Sequence, residues 1–364
     1  MLKRFSVEGF KNFENKITID FSDIRDYKFH PECVADGLLS AAVIYGKNAV
    51  GKSNFGLALF DVVSHLTMNN VSPGLYDYYL NANNEYAEFE YVFQFGADEI
   101  IYKYKKSEAG DLLNEYLQLN GKELLSDYHR FSMAKNVKKE GLAGLAPNLN
   151  WDLKTDKSYI KFFLYNSSLD INHPLSKMMK FVNNMILFKG HNENEFIGFR
   201  KKTYDYYDFI FNCIDEFNIF LKKAEIDNTV CAIKDADNIT RLYFDGERPM
   251  PFFKVASSGT KALYTFYYWY KTAPDVSFMY IDEFDAFYHY ELSETIVSML
   301  EKTSGFQKIM TSHNTNLLSN RIMRPDCYFI LTKDKMTSFA NATERELREG
   351  HNLEKLYMSG EFDG

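Results

Sequence analysis

The run Gly46-Lys47-Asn48-Ala49-Val50-Gly51-Lys52-Ser53 satisfies G-x-x-x-x-G-K-[ST] in full. Its glycines let the backbone curl until successive N–H groups face a phosphate. Lys52 is then placed to reach the β- and γ-phosphates, and the Ser53 hydroxyl to bind Mg²⁺. With Asn54 in the following turn, the candidate nucleotide-binding residues are Gly46, Lys47, Asn48, Ala49, Val50, Gly51, Lys52, Ser53 and Asn54. A helix starting at Lys52 adds the partial positive charge of its N-terminus to the same site. The implied ligands are ATP and Mg²⁺.

Three further groups could serve that chemistry. Phe278-Met279-Tyr280-Ile281-Asp282-Glu283 runs four apolar residues into two acids. At a strand end the first acid, Asp282, can hold Mg²⁺ alongside Ser53. The second, Glu283, can polarise a water for attack on the γ-phosphate. Ala256-Ser257-Ser258-Gly259-Thr260-Lys261 opens a helix. A serine there is a routine N-cap. It is also the makings of an anion site, in which Ser257, Ser258 and Gly259 would meet the phosphate held by a second subunit. Thr311-Ser312-His313-Asn314 ends an apolar strand, and His313 there can reach a γ-phosphate. A lone histidine in that place is more often structural than catalytic.

The elements that must position these groups are legible around them. Ser40-Ala41-Ala42-Val43-Ile44-Tyr45 is a short apolar run that suits a strand buried on both faces. Phe55, Leu59, Val62, Val63 and Leu66 follow at helical spacing. Phe5 and Val7, then Ile17, Ile19 and Phe21, alternate as half-buried strands on either side of a turn at 12–16. Phe89, Tyr91, Phe93 and Phe95, then Ile101, Tyr102 and Tyr104, predict a hairpin. Asn120-Gly121 predicts the two-residue turn of another. Residues 160–226 read as helical in character. From 253 onward helix and strand alternate: a helix over 259–270, a strand over 277–281, a helix over 292–301, and strands over 308–311 and 327–331.

Composition narrows the function classes. Forty-two basic residues against 50 acidic ones give a formal net charge of −8, which excludes a globally basic nucleic-acid coat. A hydrophobic content of 46% excludes disorder along the whole chain. The basic runs at 135–139 and 200–202 read as solvated surface. Cys33, Cys213, Cys231 and Cys327 show no C-x-x-C spacing and are too sparse for a disulfide framework. The opening residues lack the apolar core of a signal peptide, and no apolar run is long enough to span a membrane. The expected location is cytoplasmic.

Phosphate loop, serine-glycine signature, Asp-Glu strand and switch histidine, in this order, resemble the ABC-type ATPase head. The long gap between loop and signature, and the opening Val7-Glu8-Gly9-Phe10-Lys11-Asn12-Phe13, resemble the SMC, RecF and OLD-like branch. Asp282-Glu283-Phe284-Asp285-Ala286-Phe287-Tyr288-His289 is similar to the D-E-x-x-A-x-x-H run of that branch. Arg324-Pro325-Asp326-Cys327-Tyr328-Phe329-Ile330 and His351-Asn352-Leu353-Glu354-Lys355-Leu356-Tyr357-Met358-Ser359-Gly360 resemble the AbiL-type ATP-binding proteins of abortive-infection and restriction-linked operons, which lack a Toprim nuclease domain. The signature departs from L-S-G-G-Q by placing Ser258 where a glycine is usual. No Q-loop residue stands out. Gln94 sits on a strand and reads as structural, and Asn166 is the better-placed candidate.

The resemblance implies an α/β fold: an ABC-type head with a mixed sheet around the phosphate-loop helix, an antiparallel β-subdomain and an inserted helical lobe. The corresponding division is an N-terminal lobe at 1–130, the inserted lobe at 131–245 and a C-terminal lobe at 246–364. It also implies an ATPase that forms an ATP-sandwiched homodimer or a higher even oligomer. Such an ATPase would regulate a separate operon-encoded effector, for instance a Toprim-type nuclease, in antiphage defence. The alternative is a DNA-handling ATPase or nuclease subunit of the RecF/SMC type, with nucleic acid bound directly. Only 33 residues follow Leu331, too few for a Toprim domain in this chain. Phe209, Phe211, Phe217 and Phe220 are spaced to point to more than one helix face. One of those faces is therefore expected to meet a partner.

Overall fold

Parallel strands supply the frame on which the chemistry sits. The computed structural model describes residues 1–69, 74–127, 137–153, 157–189, 195–199, 206–272, 275–286 and 288–362. Its seven-stranded sheet runs, in spatial order, Phe196–Gly198, Met185–Lys189, Phe278–Asp282, Gln307–Thr311, Ala41–Tyr45, Tyr328–Leu331 and Met336–Ser338. The five inner strands are parallel and the two edge strands antiparallel. Ala41–Tyr45, Phe278–Asp282 and Gln307–Thr311 are buried at every position. That is why they read as near-continuous apolar runs rather than alternating ones. Register pairs Thr311 with Ile44 and Ile281 with Met310, so the three strands end together. The phosphate loop, the two acids and His313 all leave the sheet at this carboxyl edge, where ligands bind in open α/β folds.

A six-stranded antiparallel sheet lies across from it, in the order Ile17–Asp20, Leu2–Glu8, Ala87–Phe95, Asp98–Glu108, Asp111–Leu119 and Lys122–Asp127. The expected hairpins are present. Asn120 and Gly121 adopt φ of 50° and 77°, the left-handed pair that a two-residue turn requires. The apolar face of this sheet packs on the phosphate-loop helix Lys52–Leu59. Phe5 meets Phe55 edge-on at 5.5 Å, and the Tyr91 hydroxyl donates to the Ala58 carbonyl at 3.0 Å. On its other side the helix meets the acidic strand. A Cβ on Gly56 would come within 2.7 Å of the Tyr280 ring, whose hydroxyl donates to the Lys52 carbonyl at 2.8 Å. The helix is thus held between two sheets. Just beyond it, buried Asp61 accepts from Tyr79, Tyr104 and Lys106 at 2.9, 2.8 and 2.7 Å, pinning Asp61–Leu66 to the antiparallel sheet.

The middle of the chain differs from the helical reading. Helices do form at Tyr159–Asn166, Pro174–Asn183 and Ile214–Lys223. Between them, however, Met185–Lys189 enters the main sheet directly beside the acidic strand. Four consecutive apolar residues, Met185 to Phe188, suit a doubly buried strand as well as a helix, and periodicity cannot separate the two. A small sheet of Val230–Lys234, Thr240–Phe244 and Met250–Pro251 follows. Of the four phenylalanines expected to offer a face to a partner, Phe209, Phe217 and Phe220 are buried against the helix Ser258–Thr272, and Phe211 is half-buried. Phe209 lies 4.9 Å from Tyr268, and Phe217 lies 5.0 Å from Tyr267. These three rings cover that helix.

Among the described residues no helix is long and apolar enough to cross a membrane. The basic run at 200–202, part of that at 135–139, and Phe287 of the acidic run lie outside the described residues.

Candidate functional site

The loop between Ala41–Tyr45 and the helix is built from positive backbone angles and close approaches. Ala49 and Gly51 take φ of 63° and 103°. A Cβ on Gly51 would fall 2.3 Å from the Asn12 amide nitrogen, and one on Gly46 would fall 2.6 Å from the Leu331 carbonyl. Only glycine fits either position. Asn12 Nδ2 donates to the Val50 carbonyl at 2.8 Å, and its Oδ1 accepts from Asn54 Nδ2 at 2.7 Å. The loop is therefore braced from outside by a residue 38 positions upstream of Val50. Lys52 is buried, and its ammonium donates to the Gly46 carbonyl at 2.9 Å. Burial lowers its pKa from the ordinary lysine value, while Glu283, Asp282 and Asp285 pull it back upward.

Across the strand ends, Thr311 organises the acid pair. Its buried Oγ1 donates to Asp282 Oδ1 at 2.8 Å and accepts from the Glu283 backbone N–H at 2.7 Å. Glu283 itself takes φ of 47°, a left-handed conformation uncommon for a residue with a side chain. Strain of this kind costs on the order of 1–3 kcal/mol and concentrates at working sites. Ser312 Oγ donates to Asp285 Oδ2 at 2.6 Å and accepts from the Asn314 N–H at 2.9 Å, which fixes the turn carrying His313. Burial raises the Asp285 pKa. Desolvation lowers the pKa of the His313 imidazole, and the Lys52 charge lowers it further against Glu283, Asp285 and Asp282. Lys52, Asp282, Glu283, Asp285 and His313 thus lie within one another's electrostatic reach.

The signature stands apart. Ser257 Oγ caps its own helix, accepting from the Thr260 N–H at 3.1 Å and pairing with Thr260 Oγ1 at 2.9 Å. Ser257 and Ser258 are exposed. The pocket beside them, about 400 Å³, is lined by Ser257, Gly259, Thr260, Tyr288 and His289, among others, and by no residue of the phosphate loop. The Asn166 amide donates to Phe162 within its own helix, and the Gln94 amide donates to Gly96. Sequence reasoning missed the bracing by Asn12 and the bridging roles of Thr311 and Asp285. Those contacts are made through space, and no local pattern signals them.

A phosphate loop, a braced helix N-terminus and an acid pair at the end of a strand one removed in the sheet define a P-loop nucleotide site. The chain belongs to the family described as "AAA domain, putative AbiEii toxin, Type IV TA system", whose model matches residues 41–319. Solved structures are similar to it at low identity. One is an SMC head bound to the C-terminal winged-helix domain of ScpA, at 15% identity and a TM-score of 0.49, covering 93% of this chain and 97% of that one. Another is the SMC head domain from Thermotoga maritima, at 16% and 0.46, covering 93% and 98%. A third is an Smc head with an extended coiled coil bound to the C-terminal domain of ScpA, derived from Pyrococcus furiosus, at 14% and 0.48, covering 93% and 96%. No curated protein matches the chain.

The brace gives a first test. Asn12→Ala removes two hydrogen bonds that order the loop, at about 1 kcal/mol each. ATP binding measured by calorimetry should weaken by roughly 5–30-fold. Unchanged affinity would mean that the loop holds its shape without Asn12.

Proposed function

We propose that this protein binds ATP with Mg²⁺ at Gly46 to Asn54 and hydrolyses it. The observation that carries the reading is the meeting of Lys52, Asp282, Glu283 and His313 at one sheet edge. A serine hydroxyl and a carboxylate are hard oxygen donors that suit Mg²⁺, and Ser53 with Asp282 are the residues that would hold it. The ion, when bound, neutralises charge on the phosphate oxygens. The chain supplies the rest. Loop amides and Lys52 hold the triphosphate. Glu283 orients and polarises the attacking water, kept in place by the Thr311 bond to its backbone. His313, its pKa lowered and so neutral at pH 7, contacts the γ-phosphate. Phosphate release by the purified chain with ATP and Mg²⁺ is the direct assay, and absence of turnover would overturn the reading.

The same proposal extends to assembly. The exposed Ser257 and Ser258, with Gly259, would close over the triphosphate of a second chain, giving an ATP-sandwiched homodimer or a higher even oligomer. The family description, with its AbiEii toxin and Type IV TA system, supports a role in antiphage defence; in the proposed AbiL-type arrangement the ATPase would control a separate effector, for instance a Toprim-type nuclease, in the cytoplasm. Co-purification from the native operon with mass spectrometry tests this. Full phage protection by this chain expressed without its neighbours would exclude the two-component arrangement.

A further inference from the structure

Upstream of the phosphate loop, the short turn Pro31–Cys33 meets the C-terminal end of the helix Tyr290–Lys302. His30 Nδ1 lies 2.8 Å from Glu301 Oε1 and 3.5 Å from Glu32 Oε1. The two carboxylates also lie within 4.8 Å of each other. His30 Nε2 lies 3.0 Å from the Asn320 backbone carbonyl. A carbonyl oxygen can only accept, so Nε2 carries the ring proton. In the neutral imidazole, Nδ1 then offers a lone pair to two carboxylates. Three acceptors facing one point repel unless a proton or a cation lies between them.

Several features favour a cation. One donor atom from each of His30, Glu32 and Glu301 falls within 4.8 Å of the others. A ring N–H given to a backbone carbonyl is the usual support of a metal-binding histidine. Glu301 is buried at the last turn of its helix, where the helix dipole disfavours a carboxylate. His30 is held at φ 48°, a left-handed strain with no glycine to relieve it. A pocket of about 380 Å³ reaches Glu32 and Glu301 from outside and gives an ion a path in. Lys308, within electrostatic reach of Glu301, donates its ammonium to the Thr303 carbonyl at 2.5 Å. Burial lowers the Lys308 pKa to about 8.

We propose that His30, Glu32 and Glu301 form a binding site for a divalent first-row transition cation such as Zn²⁺, separate from the nucleotide site. One nitrogen and two carboxylate donors with an open side match the ligand preferences of Zn²⁺. The cation would tie the 30–33 turn to the helix that follows the acidic strand. The site does not depend on the ATPase reading.

The test titrates Zn²⁺ into chelator-stripped protein by calorimetry. It uses an Asp282→Asn background, so that the metal ligand of the nucleotide site does not contribute. The expected result is saturable binding of one ion per chain, weakened at least ~10-fold by His30→Ala and by Glu301→Gln. Circular dichroism confirms that each variant is folded. Glu301→Gln is nearly isosteric and keeps the test valid if His30→Ala does not fold. The parent's melting temperature should rise with Zn²⁺ and that of Glu301→Gln should not. No saturable binding, or affinity unchanged in either folded variant, would overturn the proposal and leave a shared proton between His30 and Glu301.

Discussion

Glu283→Gln is expected to bind ATP as the parent chain does and to release phosphate at least ~10²-fold more slowly. The substitution removes the carboxylate charge that polarises water and little else. Gln matches Glu in size, and the backbone N–H of residue 283 still donates to Thr311 Oγ1. The left-handed backbone at this position is set by the strand end and the Thr311 bridge, so the fold should survive. Single-turnover phosphate release, with ATP binding measured on the same sample, separates the chemical step from affinity. Near-parental turnover would remove Glu283 from the mechanism and direct attention to Asp285, another acid acting on His313.

Lys52→Ala should act on the opposite term. Its ammonium is buried at the loop and bonded to the Gly46 carbonyl, so the charge is already positioned for phosphate. Charge-assisted hydrogen bonds contribute about 1.5–3 kcal/mol each. Losing the lysine should therefore weaken ATP binding by roughly 10²-fold. Calorimetric titration with ATP and Mg²⁺ checks it. Affinity within about threefold of the parent would mean that the loop amides alone carry the phosphates. The contrast with Glu283→Gln is informative, since one variant loses binding and the other loses turnover.

What could be read from the sequence depended on whether the signal was contiguous. Gly46 to Ser53 and Phe278 to Glu283 are unbroken strings in which residue type and position carry the chemistry together. The buried strand before the loop and the helix after it confirmed their context. The hairpins were legible from alternation and from Asn120-Gly121. The strand Met185–Lys189 was not, because a run of four apolar residues fits two elements equally well. The covering of Phe209, Phe217 and Phe220 was not legible either, because helical spacing shows which directions side chains take but not what covers them. Tyr264, Tyr267 and Tyr268 of the signature helix do. Asn12, Thr311 and the His30, Glu32 and Glu301 cluster are contacts between distant segments, Glu301 lying 271 positions from His30. Only folding brings such pairs together, and no spacing rule announces them.

The central claim is that ATP joins two of these chains through the signature. Light scattering of Glu283→Gln, with and without saturating ATP and Mg²⁺, tests it most directly, because slowed hydrolysis should trap the closed state. The account predicts that ATP raises the mass to twice that of the chain or to a larger even multiple, and that the rise is lost on adding Ser258→Arg, whose bulk would block the signature face. A mass unchanged by ATP would contradict it and leave Ser257 as the cap of its own helix.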